Sequence, residues 1–187
     1  MEKTHKEKLE IQIREAYGRL VYTYTTQLKQ AEQLTNKNQN VKHWQIGLSA
    51  VTTGGILTAV ISNQTVLTWI SAIVSTALLG LNLYIKDFNL AEDIRRHRST
   101  ADALWVIREK YVSLLTDFDT LSEQEITNIR DALQEQTAKI YQSAPSTNAK
   151  SYAAAQKALK ENEEQFFRSS EIDQMLPEHL RKNNSQN

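Results

Sequence analysis

The sequence predicts an all-α protein: a two-helix transmembrane hairpin that carries a cytoplasmic helical bundle. Residues 43–85 contain no Asp, Glu, Lys or Arg, although 24% of the 187 residues are charged. Glycine and proline are scarce, at 5 and 2 residues, which favours long helices. Apolar residues on both sides of the uncharged run recur at spacings of three and four, the period of an α-helix.

The overall composition is polar and balanced, with 22 basic and 22 acidic residues and a mean hydropathy of −0.52. The absence of cysteine excludes disulfide and thiolate chemistry. The first 30 residues mix charged with apolar side chains and lack the apolar core of a signal peptide.

The N-terminal part, residues 1–40, is predicted to be a cytoplasmic amphipathic helix followed by a loop at 35–40. The loop is expected because TNKNQN is polar and rich in Asn. The helix is expected because its apolar residues share one face: Leu9, Ile13, Tyr17, Leu20, Val21, Tyr24, Leu28 and Ala31.

The uncharged run, 43–85, divides into two apolar segments, 44–61 and 66–85, with a polar turn at 62–65. About 20 mostly apolar residues span roughly 30 Å of hydrocarbon, so each segment is close to one membrane crossing. The alternative is a soluble hairpin buried in a larger core, although such a core does not require a charge-free run of this length.

The edges of the hairpin carry residues that prefer the membrane–water interface. The predicted anchors are Lys42, Trp44, Trp69, Tyr84 and Lys86. The open end of the hairpin is basic and the turn carries no charge, so the positive-inside rule places both termini in the cytoplasm.

Small residues recur every four positions in both segments, which stacks them on one face and lets two backbones approach. The predicted membrane-helix packing residues are Ala50, Gly54 and Thr58 in the first segment and Ala72, Thr76 and Gly80 in the second.

The cytoplasmic region, 86–187, is predicted to continue from the second crossing as one rod to about Phe118, roughly 80 Å long. Trp105 is expected in the core of this region, because it lies at helical spacing, and not as a platform for base stacking. A capping box at Ser122 and Glu125 predicts a helix over 123–142. A further helix is expected from Asn148 through residue 167, and a short one near 170–173.

The basic cluster Arg95, Arg96 and Arg98 has three interpretations: pairing with nearby acids, contact with lipid headgroups, or binding of a ligand or partner through phosphate. No metal site is predicted, because the four histidines have no ligand spacing. The carboxylates around 117–125 favour a helix N-terminus over acid–base catalysis. The sequence therefore predicts neither an enzyme nor a cofactor.

The order of these elements resembles the SLATT family, the two-membrane-helix effectors associated with bacterial nucleotide-signalling and SLOG proteins. The hairpin at 44–85 and the stretches 91–118, 141–159 and 171–182 carry the resemblance. It implies an antiphage-defence effector in the bacterial inner membrane that oligomerises and permeabilises the bilayer.

The same resemblance implies a partner sensor, either a nucleotide-signalling enzyme or a reverse transcriptase, whose product acts as the trigger. The expected partners are therefore the lipid bilayer, other copies of the chain and this sensor, with direct nucleotide or nucleic-acid binding left open. The alternative function is a membrane-anchored scaffold or inhibitor that binds a partner through its cytoplasmic helices.

Overall fold

The computed structural model of the chain describes residues 4–62, 65–165, 167–177 and 181, with only the backbone described at 59, 60 and 62. Within these ranges all regular secondary structure is helical, which confirms the predicted class. The helices are α1 (His5–Ser62), α2 (Thr65–Asp87), α3 (Leu90–Thr116), α4 (Glu123–Ser143), α5 (Ala149–Lys160) and α6 (Ser169–Met175). Residues 63 and 64 of the predicted turn lie outside the described ranges.

Helix α1 is 58 residues long, about 85 Å at 1.5 Å per residue, and runs from the core of the helical bundle into the uncharged segment. The predicted loop at 35–40 is therefore wrong. Asn, Thr and Gln cost only tenths of a kcal/mol each in a helix, and no Gly or Pro interrupts this stretch. The Thr35 hydroxyl donates to the Ala31 carbonyl at 2.7 Å, inside the helix.

The predicted continuous rod after the hairpin is also wrong, because α2 ends at Asp87 and α3 begins at Leu90. The Asn89 side chain accepts a hydrogen bond from the backbone N–H of Glu92 at 3.2 Å, which caps α3. The acids at Glu92 and Asp93 favour this N-terminus. The long rod of the molecule is α1, and the cytoplasmic region is not a continuation of α2.

The main core lies between the N-terminal half of α1, α3 and the start of α4. Its apolar residues follow the predicted helical spacing, and most are nearly inaccessible: Leu9, Ile13, Leu20, Leu104, Ile107, Tyr111, Leu114, Phe118, Ile126 and Leu133. The prediction that Trp105 lies in the core is wrong, since this residue is 48% exposed. It follows Leu104 on the helix, and a step of about 100° carries it off the buried face.

The remaining helices begin as the sequence predicts. Ser122 and Glu125 form the capping box of α4, and the hydrogen bonds from Ser122 lower the pKa of Glu125. Asn148 caps α5 through the N–H of Ser151 at 2.8 Å. However, α5 ends at Lys160 and not at residue 167. Glu163 adopts a left-handed conformation with φ 52°, which is incompatible with continued helix.

Replacing Gln39 with proline tests the continuity of α1. The Gln39 side chain is exposed, so the change acts on the backbone alone. Within a helix, proline is expected to lower the free energy of unfolding by about 3 kcal/mol. Thermal unfolding of the full chain in detergent, followed by circular dichroism, measures the loss. Gln39→Ala is the matched control and should leave the free energy of unfolding unchanged. Equal stability of the two variants would contradict a continuous helix and favour the predicted loop at 35–40.

Candidate functional site

The two helices of the hairpin contact each other along one narrow seam. The least exposed residues of each helix alternate at spacings of four and three, a repeat of 3.5 that gives left-handed antiparallel packing. The seam consists of Val41, Gln45, Leu48, Thr52 and Gly55 on α1, and of Leu67, Ser71, Val74, Leu78, Leu81 and Ile85 on α2.

The two helices approach each other closely at Gly55 and Ser71. A Cβ atom added to Gly55 would lie 2.6 Å from the Ser71 hydroxyl oxygen, and Ser71 is only 5% exposed. Gly54 and Gly80, which the sequence singles out, have no atom within 4 Å of such a Cβ. Within one chain, the close contact therefore uses the second glycine of the Gly54–Gly55 pair.

A polar contact aligns the two helices near the open end of the hairpin. The side-chain amide of Gln45 donates a hydrogen bond to the side-chain oxygen Oδ1 of Asn82 at 2.9 Å. The Lys37 ammonium lies 5.4 Å from the centre of the Tyr84 ring, which in turn stacks on Phe88. The contacts of Gln45 with Asn82 and of Lys37 with Tyr84 join the two helices and oppose sliding of α2 along α1.

Outside the seam, the hairpin presents a broad apolar surface. The predicted anchors Trp44 and Trp69 are 68% and 69% exposed, Lys42 and Lys86 are exposed, and Tyr84 is half-buried. Among the described residues, one span, Thr65–Thr116, which covers α2, the break after it and α3, contains a window that is apolar and long enough to cross a membrane. The mean hydropathy of this window is 1.8, and 6% of the window is buried. Apolar surface of this extent is typical of membrane contact.

The small-residue stripes predicted from the sequence lie on this outward surface. Ala50, Gly54 and Thr58 are exposed on α1, and Ala72, Thr76 and Gly80 are exposed on α2. At about 100° per residue, both stripes point away from the seam. Each helix therefore has one face for its hairpin partner and a second, exposed small-residue face that points away from that partner.

The three arginines at the start of α3 have different surroundings. Arg95 forms an ion pair with Glu92 at 2.6 Å, which lowers the pKa of Glu92 and raises that of Arg95. Arg96 lines an open cavity between α3 and the end of α4, whereas Arg98 is exposed and does not line it. The sequence could not separate these three environments.

A buried polar layer joins α1, α3 and the connection between α4 and α5. The Gln27 amide donates to the Pro145 carbonyl at 3.2 Å, and the Gln27 oxygen pairs with Nδ1 of buried His97. An amide oxygen only accepts, so Nδ1 of His97 carries the proton. Pro145 lies three residues before Asn148, the cap of α5. Its contact with Gln27 therefore holds the start of α5 close to α1. No motif in the sequence marks this layer.

Helix α1 also contacts the residues on both sides of α5. The Gln30 side chain accepts a hydrogen bond from the Asn148 N–H at 3.3 Å. Lys29 forms an ion pair with Glu164 at 2.9 Å. The hydrogen bond between the Lys29 and Glu164 side chains raises the pKa of Lys29 and lowers that of Glu164. The middle of α1 therefore contacts both the residue that caps α5 and the segment that follows α5.

An apolar helical pair attached to a polar bundle through one unbroken helix defines a membrane-associated helical protein. The family model described as SMODS and SLOG-associating 2TM effector domain family 4 matches residues 9–171. The chain belongs to this family, which confirms the resemblance seen in the sequence and makes the chain an effector of antiphage defence systems. No curated protein and no solved structure matches the chain.

Enlarging Gly55 tests the seam. In Gly55→Leu the new side chain meets Ser71 and should separate the helices, whereas Gly54→Leu projects into open space and should leave them paired. The chain contains no cysteine. Gln45→Cys with Asn82→Cys therefore gives a clean pair for a short bis-maleimide, and cross-linking should fall only in the Gly55→Leu background. Equal cross-linking in both backgrounds would contradict the seam.

Lowering the pH tests the polar layer. Burial lowers the pKa of His97 below its ordinary 6.5; the smaller effect of Asp93 raises it, and that of Arg96 lowers it further. The unfolded chain then binds more protons, so stability is lost as the pH falls below about 6.5. The melting temperature of wild type should fall more between about pH 7.5 and pH 5.5 than that of His97→Gln. The exposed His5→Gln is the control, and a parallel fall in all three proteins would exclude His97 as the cause.

Proposed function

We propose that the chain is a non-catalytic membrane effector that assembles with further copies of itself and permeabilises the bacterial inner membrane. The observation that carries the proposal is the outward direction of both small-residue stripes. A Cβ atom added to Gly54 or to Gly80 would have no neighbouring atom within 4 Å. Two helices cannot enclose a pore, so several hairpins are required. Family membership supports the effector role.

The proposed topology has two crossings with both termini in the cytoplasm. Helix α1 ends at Ser62 and α2 begins at Thr65, so the uncharged connection lies at one end of the hairpin. The other end carries Lys37, Lys42 and Lys86. The positive-inside rule favours the cytoplasm for this basic end, and the polar bundle lies beyond it.

The two stripes suit contacts between hairpins. Small residues at spacings of four let backbones approach closely, which is the main source of helix association where lipid removes the hydrophobic driving force. The Thr58 hydroxyl donates to the Gly54 carbonyl at 2.9 Å, and Thr76 donates to Ala72 at the same distance. These bonds satisfy the hydroxyls in lipid, and in an assembly the hydroxyls can turn toward a neighbour or water.

Helix α1 provides the route from signal to membrane. Its N-terminal half is buried in the cytoplasmic core and its C-terminal half forms the seam, without a break between them. A change in the bundle that rotates or shifts α1 therefore moves the hairpin directly. We infer that a partner sensor, a nucleotide-signalling enzyme or a reverse transcriptase, or its product, causes this change.

A second candidate function is a membrane-anchored scaffold, and one surface favours it. Trp105, Val106 and Val112 are exposed on α3, away from the core, and large exposed aromatic residues are frequent in protein interfaces. In this function the hairpin serves only as an anchor. Replacing residues 44–85 with an unrelated two-helix anchor would preserve a scaffold and abolish a permeabilising effector.

Forced assembly tests the proposed function without the natural trigger. The full chain is fused at its C-terminus to a domain that oligomerises on addition of a small molecule, and membrane potential is followed in bacterial cells. We expect depolarisation after addition, and loss of most of it in the double variant Gly54→Leu with Gly80→Leu. Gly18→Leu is the matched control, because Gly18 also meets no atom within 4 Å but lies in the cytoplasmic half of α1.

Two results would contradict the proposal. One is an intact membrane potential despite confirmed clustering of the wild-type fusion. The other is equal depolarisation by wild type and the double variant, since both stripes would then be irrelevant. Leucine is more apolar than glycine, so failed insertion does not account for a loss of activity in the variant.

A further inference from the structure

A cavity of about 300 Å³ opens between the start of α3 and the end of α4. Its walls are Glu92, Arg95, Arg96, Ser99, Thr100 and Ser143. Each of these residues is polar by type and can offer a charged or hydroxyl group to a ligand. The volume is at the lower end of the range for small-molecule sites.

The lining carries two arginines and one carboxylate, which leaves a net charge of +1. Arg95 is engaged by Glu92 through both carboxylate oxygens, at 2.8 and 2.6 Å. The Arg96 side chain makes no hydrogen bond or ion pair with the residues the structure describes, and it faces the cavity. The Arg95–Glu92 pair is exposed, so it contributes little stability and an anion can displace it.

Hydroxyl groups complete the lining. Ser143 donates to the Ile140 carbonyl at 3.2 Å, and Thr100 donates to the Arg96 carbonyl at 2.9 Å. Both hydroxyls can rotate toward a stronger acceptor. Planar guanidinium groups with hydroxyl donors are the set that binds phosphate oxygens, because the arginine fork matches two of them at once.

We propose that this cavity binds a phosphate group, carried either by a soluble nucleotide or by the headgroup of an anionic lipid. Arg96 is the principal ligand, Arg95 joins it when the phosphate displaces Glu92, and the hydroxyls complete the shell. The inference deepens the proposed function, on which its role as a trigger rests, by giving the chemistry of the trigger.

The position of the cavity connects it to α1. Arg96 immediately precedes His97, and Ser143 lies two residues before Pro145. Both His97 and Pro145 contact Gln27 of α1. A phosphate that draws Arg96 and Ser143 together therefore acts on the polar layer that holds α1 in its resting position.

Native mass spectrometry of the full chain in detergent tests the site, with ATP as the soluble probe and phosphatidylglycerol as the lipid probe. We expect bound adducts with one probe, and the probe that binds identifies the source of the phosphate. Arg96→Ala should weaken that binding about ten-fold or more, because a charge-assisted hydrogen bond is lost. Arg96→Lys should restore part of it, and Glu92→Gln should strengthen binding by freeing Arg95.

Arg98→Ala is the matched control. It removes the same charge two residues away, on nearly the opposite side of α3, and it does not line the cavity. Its binding should remain within about two-fold of wild type. Equal weakening by Arg98→Ala and Arg96→Ala would reveal diffuse charge attraction and overturn the site, as would the absence of adducts with both probes.

Circular dichroism of Arg96→Ala checks the fold, which should be intact because the side chain is exposed. Binding and permeabilisation are separate measurements. Depolarisation on forced clustering without phosphate binding would overturn this inference and leave the proposed function. Phosphate binding without depolarisation would do the reverse.

Discussion

The structure depends on one constraint: a pair of helices can cover only one face of each. The seam occupies the narrow face that includes Gly55 and Ser71, and the opposite faces are apolar or small and uncovered. In water this surface would be costly at about 25 cal/mol per Å² of apolar area. Lipid removes that cost, and only helices with internally satisfied backbones are stable in lipid. The charge-free run and the long helices both follow from this requirement.

The continuity of α1 determines how the polar helical bundle is joined to the hairpin. One helix contributes to the apolar core through Leu20, to the polar layer through Gln27, and to the seam through Leu48. The break at Phe88 and Asn89 separates α2 from α3, so the second hairpin helix is joined to the bundle by a short connection instead of a rigid one. The bundle and the hairpin therefore share one continuous helix, α1.

The sequence predicted the features that depend on local chemistry or simple periodicity. The capping box at Ser122, the helix start near Asn148 and the core face with Ile13 were correct, because each needs only residues close in the chain. The loop at 35–40 failed because packing at both ends of α1 overrides weak propensities. The break before α3 was detectable: Asn89 followed three residues later by Glu92 is a helix-start pattern. The phase of the seam was not, since choosing Gly55 over Gly54 needs the contact with α2.

The candidate site shows the same division between local and tertiary information. The basic cluster at 95–98 is visible in the sequence, but the different roles of Arg96 and Arg98 depend on where α4 ends. The pairing of His97 with Gln27 joins residues 70 positions apart and leaves no sequence signal.

Membrane integration is the central claim, and alkaline carbonate extraction tests it most directly. Membranes from cells that express the full chain are washed at high pH and sedimented. The account predicts that the chain stays in the pellet and enters the supernatant only with detergent. Recovery of folded chain in the detergent-free supernatant would show that protein, not lipid, covers the hairpin, and would contradict the account.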